Sequence, residues 1–194
     1  MNSKSISKTL IILCLFVTTV SQAQTNDFGD NRSGKTVRDL GDILQIVLPS
    51  VAVLTTVVVG DKEGTWQFAK SFGVNFAATY ALKYIIDKPR PVGAKDGKAF
   101  PSGHTSAAFV SASFIQQRYG WKYGVPAYLL AGFVGYSRIE GVPQRHDGWD
   151  VLGGILVGVG STYLFTTPYQ KEHLELSFGR TEYNSYLVGF KYKF

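Results

Sequence analysis

At 194 residues the chain is long enough to bury one core and short for two independent domains. Its single cysteine, Cys14, lies in an apolar leader, so the mature chain is expected to form no disulfide and no cysteine metal site. The formal charge of +6 falls to about +4 without the leader's Lys4 and Lys8; this suits an anionic substrate, an anionic lipid surface or plain solubility, while the scattered basic residues lack the pattern of a nucleic-acid module.

The leader combines Lys4 and Lys8, the apolar run Thr9 to Val20 and the small-residue site Ser21-Gln22-Ala23. It reads as a signal peptide, 1–23, cleaved after Ala23, with an uncleaved membrane anchor as the alternative. Both readings place the residues after the leader outside the cytoplasm. Residues 24–38 are polar and read as a flexible exported segment, so the fold is expected to start near Asp39.

Ile43 to Gly60 is apolar around Pro49 and reads as a buried or membrane helix kinked at that proline. Trp66 to Ile86 reads as a second helix, closed by Pro89 and Pro91, because the residue before a proline is pushed out of the α region. A Gly, Lys and Asp loop follows from Val92 to Lys98. Helices are then expected over Ser102 to Arg118, Tyr123 to Ile139 and Trp149 to Thr166. The glycines of the last, Gly153, Gly154, Gly158 and Gly160, allow close helix approach in a membrane bundle, or mark a softened core helix in a soluble one. After Pro168, alternation at Leu174, Leu176 and Phe178, then at Tyr186, Val188, Phe190, Tyr192 and Phe194, predicts a β-hairpin extension over 169–194. The fold class is therefore all-α: an antiparallel bundle of about five core helices over 39–168, expected to be membrane-embedded, with a short C-terminal hairpin.

Five helices running alternately up and down bring three stretches to one end of the bundle: Lys83 to Pro91 (KYIIDKPRP), Pro101 to His104 (PSGH) and Ser137 to Asp150 (SRIEGVPQRHDGWD). Two of the three histidines in the chain, His104 and His146, fall inside them. Lys83, Arg90 and Arg138 offer permanent cations for phosphate oxygens, although Lys83 and Arg138 also suit helix C-termini on dipole grounds alone. Ser102 is a possible N-cap. Gly103 permits close backbone approach to a ligand, and free amides at such a helix start bind anions. His146 and Asp150, four apart, can meet on one face, so that Asp150 holds one ring nitrogen and frees the other to attack phosphorus; Asp147 and Asp150 also simply favour a helix N-terminus. His173 reads as a surface residue. No cluster suited to a metal is visible, and no cofactor is implied.

The pattern K-x6-R-P, P-S-G-H and S-R followed by H-x3-D resembles the signature of the type 2 phosphatidic acid phosphatase and vanadium haloperoxidase superfamily. The match covers roughly Ile43 to Thr166. The resemblance implies that Lys83, Arg90 and Arg138 bind phosphate with Ser102 and Gly103, that His104 protonates the leaving group, and that His146, oriented by Asp150, is the nucleophile forming a phosphohistidine. One spacing departs from the pattern: seven residues, Ile139 to Arg145, separate Arg138 from His146 where the family usually has five. A bulged loop at Gly141 and Pro143 would absorb the excess.

These features point to a metal-independent phosphatase acting on a lipid phosphate or pyrophosphate, such as phosphatidic acid, phosphatidylglycerol phosphate, undecaprenyl pyrophosphate or the phosphates of lipid A. The expected location is a membrane with the site facing the periplasm. Arg118 and Lys122 at the opposite turn agree with the positive-inside tendency. A soluble periplasmic acid phosphatase and a vanadate-dependent haloperoxidase are the alternatives; the oligomeric state is not legible.

Overall fold

The computed structural model describes residues 32–91 and 97–169, together with the strands Leu174–Arg180 and Tyr186–Tyr192. The leader, most of the polar segment after it, and His173 lie outside the described residues. The described residues form five helices: α1 Arg32–Val59, α2 Lys62–Ile86, α3 Gly103–Tyr119, α4 Trp121–Glu140 and α5 Gly148–Tyr163. The strands β1 Leu174–Arg180 and β2 Tyr186–Tyr192 pair antiparallel, with Leu174 opposite Tyr192.

Tight, locally specified corners join α1 to α2 and α3 to α4, while the link from α2 to α3 is longer. Asp61 caps α2 by accepting from the Gly64 amide at 2.8 Å. The same helix ends at Asp87 in the left-handed region (φ 45°), just before Pro89. Gly120, at φ 92°, makes the tight corner between α3 and α4, where a side chain would be strained. Asp147 and Asp150 form a reciprocal capping box at the start of α5.

The first helix starts earlier than the polar composition of residues 24–38 suggests. Residues 32–38 are helical because they have a partner: the Val142 amide donates to the Gly34 carbonyl, and Arg38 Nη1 donates to the Val142 carbonyl at 3.0 Å. The helix then continues through Pro49.

Small residues let α3 and α5 approach closely. A Cβ on Gly154 would fall 2.6 Å from the Ser102 carbonyl oxygen, and one on Gly158 would fall 2.7 Å from that of Ser106, so α5 lies against the backbone of α3. The buried cluster of Leu48, Phe68, Ala108, Phe114, Ala131 and Val134 is joined by buried Ser71, Asn75, Thr79, Ser106, Ser111, Ser113 and Thr162. At the end away from the three stretches, Arg118 is fully buried and forks onto Asp61 at 2.6 and 2.7 Å. It also donates to the Thr167 carbonyl. Arg118 is therefore an interior clasp, and the sequence reading of it as a loop charge at a membrane face is corrected.

Candidate active site

All three stretches converge at one end of the bundle. The end of α2 carries Lys83 to that end, the following link carries Lys88 and Arg90, and α3 begins there with Gly103 and His104. The loop from α4 into α5 closes the ring with His146 and Asp150. A backbone hydrogen bond of 2.8 Å from the Ser102 amide to the Asp150 carbonyl fixes the second stretch against the third.

Lys83, Arg90, Gly103, His104 and His146 line one cavity of about 580 Å³, together with Asn75, Thr79 and Ser106. Two buried polar atoms in this wall, Arg90 Nε and Asn75 Oδ1, have no hydrogen-bond partner among the described residues. Buried polar groups are nearly always satisfied, so a donor and an acceptor left open on one cavity fit a polar ligand. Gln45, Pro49, Ser50 and Phe72 line the far side, and Pro49, Ser50 and Phe72 also line a second, apolar groove of about 610 Å³ with Val53, Leu54, Val57 and Phe68. The polar cavity thus continues into a greasy furrow between α1 and α2.

His146 is buried and its Nδ1 lies 3.3 Å from Asp150 Oδ2. A neutral ring donating Nδ1–H to Asp150 carries its lone pair on Nε2. Burial, with Lys83 and Arg90 close by, pulls the imidazole down to about 4 against the opposing pull of Asp150, so the ring is neutral near pH 7. Asp150 is itself fully buried; Oδ2 also accepts from the Asp147 amide at 3.1 Å, and Oδ1 accepts from Lys88 Nζ at 2.8 Å.

The second imidazole has its own carboxylate. His104 Nε2 lies 3.1 Å from Asp42 Oδ1 on α1. Burial, Arg138 and Arg145 pull His104 down to about 4, with Asp42 opposing.

Three residues of the expected cradle sit differently. Ser102 is fully buried as the N-cap of α3, accepting from Thr105, and it supports the site through its amide. Lys83 reaches the cavity, while Nζ donates to the carbonyls of Lys98, Ala99 and Pro101 and so also holds the link ahead of Ser102. Arg138 does not line the cavity. Its guanidinium bonds Asp42 at 2.6 Å, the Arg38 carbonyl at 2.8 Å and Ser137 Oγ, and it is 2 % exposed. The longer loop does not displace His146: the His146 amide returns to the Arg138 carbonyl at 3.3 Å, and the excess residues lean on α1 through Val142.

Sequence reasoning missed Asp42 and Lys88. Asp42 interrupts the start of an apolar helix, which is a signal in itself, and Lys88 lies inside the first stretch, overshadowed by Lys83 and Arg90. Among the described residues no group of three or more His, Cys, Asp or Glu could hold a metal ion.

A helical bundle that gathers two imidazoles, a lysine and an arginine around one cavity defines a class of phosphate-handling protein. The chain belongs to the PAP2 superfamily, whose family model matches residues 64–173. It is 29% identical over 177 residues to a lipid A 4'-phosphatase of Helicobacter pylori, covering 84% of this chain and 88% of that protein. Over 82 residues it is 42% identical to a lipid A 1-phosphatase of Porphyromonas gingivalis, covering 41% of this chain but 18% of that much longer protein. Its fold resembles the crystal structure of Aquifex aeolicus LpxE, with a TM-score of 0.52 and 21% identity over 71% of this chain and 95% of the other.

Proposed function

We propose that the chain is a phosphatase acting on a membrane lipid phosphate, with the phosphates of lipid A as the leading substrate class, and that it works through a phosphohistidine at the periplasmic face. The observation that carries this reading is the union of two imidazoles and two cations in one cavity that opens into an apolar groove. A phosphate enters the polar part and its lipid chains follow the furrow. The names of the two curated relatives favour lipid A over a small soluble ester.

The chemistry follows from the ring positions. Nε2 of His146 attacks phosphorus while Asp150 holds Nδ1, and the bond from phosphorus to the lipid oxygen breaks. That oxygen takes its proton from His104, whose pKa rises when an anionic phosphate sits beside it. Water, deprotonated by the now neutral His104, then attacks the phosphohistidine and releases inorganic phosphate and free His146. Lys83 and Arg90 stabilise the equatorial oxygens.

Membrane residence is supported by the surface. Trp66, Trp121 and Tyr163 are exposed toward one end of the bundle, and Tyr84, Tyr136 and Trp149 toward the other, with exposed Val74, Phe76, Tyr80, Val125, Leu129 and Leu156 between. Aromatic belts flanking an apolar band mark the two interfaces of a bilayer. Along α2, α4 and α5 the belts are about 21 to 27 Å apart at ~1.5 Å per residue. That is somewhat short of the ~30 Å hydrocarbon core, a mismatch met by local thinning. The helix α1 is long and apolar enough to cross. The site then lies at head-group level, and the exported leader turns it outward.

The test is release of inorganic phosphate, with a chelator present, from lipid A, phosphatidic acid, phosphatidylglycerol phosphate and undecaprenyl pyrophosphate. Release from at least one, abolished by His146→Ala and trapped as a phosphohistidine in His104→Ala, is expected. Release from none, or full activity in His146→Ala, would overturn the proposal.

A further inference from the structure

We propose that Lys88 is a positioning residue for the nucleophile, supplying the charge partner of the buried Asp150 carboxylate so that His146 stays neutral and free to attack. The assignment deepens the phosphohistidine reading and rests on it for the role of His146.

Lys88 is placed rigidly for this task. It follows the left-handed turn at Asp87 and precedes Pro89, and its carbonyl accepts from the Ala99 amide at 2.7 Å, so both flanks are fixed. From there Nζ reaches across the site to two carboxylates on the α5 cap, Asp147 and Asp150. Asp150 divides its oxygens between two partners: Oδ1 takes the Lys88 ammonium, and Oδ2 takes His146 Nδ1 together with the Asp147 amide. Asp150 is 0 % exposed.

A buried carboxylate must be compensated by a positive charge or be protonated. With Lys88 in place the compensation is permanent and His146 need not supply it. Without Lys88, the cation nearest to hand is the imidazole itself: a proton settles on His146, the Nε2 lone pair is lost, and attack on phosphorus stops. Lys83 from α2 and Arg90 from the link also face His146, and Arg145 and Asp147 adjoin it in sequence. Lys83 and Arg90 oppose protonation from the cavity side, whereas Lys88 acts from behind, through the carboxylate that orients the ring.

The decisive measurement is the titration of the His146 ring by NMR on the full chain in detergent micelles, with labelled histidine and the signal assigned by its loss in His146→Gln. Lys88→Met is expected to raise the pH at which His146 loses its proton by about one unit or more, the effect of one removed charge in a half-buried setting. Lys88→Arg is expected to restore the wild-type value. On a lipid phosphate substrate, the acid limb of kcat/KM should move up by the same amount in Lys88→Met, with the loss greatest at low pH. Lys88→Gln, closer in shape, serves the same purpose should the methionine variant not fold. An unchanged His146 titration in a folded Lys88→Met or Lys88→Gln protein, or an equal shift in Lys88→Arg, would overturn the proposal. Absence of phosphatase activity in the wild type would instead sink the functional reading and leave the titration result standing.

Discussion

Arg138 is turned toward Asp42. The bond of 2.6 Å between Arg138 Nη1 and Asp42 Oδ1 uses the same carboxylate oxygen that His104 Nε2 approaches at 3.1 Å, so one acidic side chain of α1 links an expected phosphate-binding cation to the expected acid. Asp42→Asn removes the negative charge that favours a protonated His104 and leaves the buried Arg138 without a counter-ion. The expected result is a fall in kcat of about tenfold or more, within the range that a positioned general acid supplies. The alkaline limb of the kcat profile should also move to lower pH. A uniform loss at every pH would show that Asp42 only braces the fold.

The two imidazoles predict an unusual pair of pH profiles. Both rings lie near 4 in the free protein, so at neutral pH the proposed nucleophile is neutral, as attack requires, and the proposed acid still lacks its proton. A phosphate anion bound beside His104 raises its pKa. Because kcat reports the complex and kcat/KM the free enzyme, the alkaline limb of kcat is expected at higher pH than that of kcat/KM. Superimposable limbs would remove His104 from the acid role.

At the other end of the bundle, the Arg118 and Asp61 pair sets stability. Burial alone would raise the Asp61 carboxyl, but its bonds from Arg118, the Gly64 amide and Tyr119 outweigh that and hold it below the ordinary range. A carboxyl lowered by folding stabilises above its unfolded pKa, and that contribution fades as pH falls through the folded value. Asp61→Asn strands a buried guanidinium and should cost about 3 to 5 kcal/mol, read as a drop in melting temperature in detergent. Activity per folded molecule at low temperature should be retained.

Glycines of α5 separate packing from composition. Gly154→Ala pushes a methyl into the Ser102 carbonyl, whereas Gly160→Ala meets nothing within 4 Å. The first is expected to lose about 1 to 3 kcal/mol by overpacking and to lower kcat by disturbing the link from Ser102 to Asp150. The second should leave kcat unchanged and raise stability by about 0.5 to 1 kcal/mol, because alanine favours a helix over glycine.

The bundle was legible in the sequence because apolar runs were punctuated by Asp61, Pro89, Gly120 and the Asp147 cap, each a local signal with a local cause. Spacing and connectivity carry the candidate site as far as proximity: Lys83, Arg90, Gly103, His104 and His146 share a cavity, with Asp150 against His146. What sequence did not disclose is which partner each charge takes. The capture of Arg138 by Asp42 and the helical start at Arg32 both depend on α1 lying against the end of α4 and the loop after it, a contact between segments about a hundred residues apart. No periodicity encodes such a contact. The motif specifies Lys83, while Lys88, at one of its unspecified positions between Lys83 and Arg90, makes the ion pairs with the α5 cap.

The clasp at Arg118 also has a bearing on the strands after Pro168. Arg118 holds the Thr167 carbonyl, and the Thr167 amide donates to Gln67 Oε1 at 2.9 Å, so the chain leaves the bundle from a riveted point. A protein cut after Tyr169 keeps both of these bonds, so the tail beyond it can be shortened or replaced without loosening this anchor.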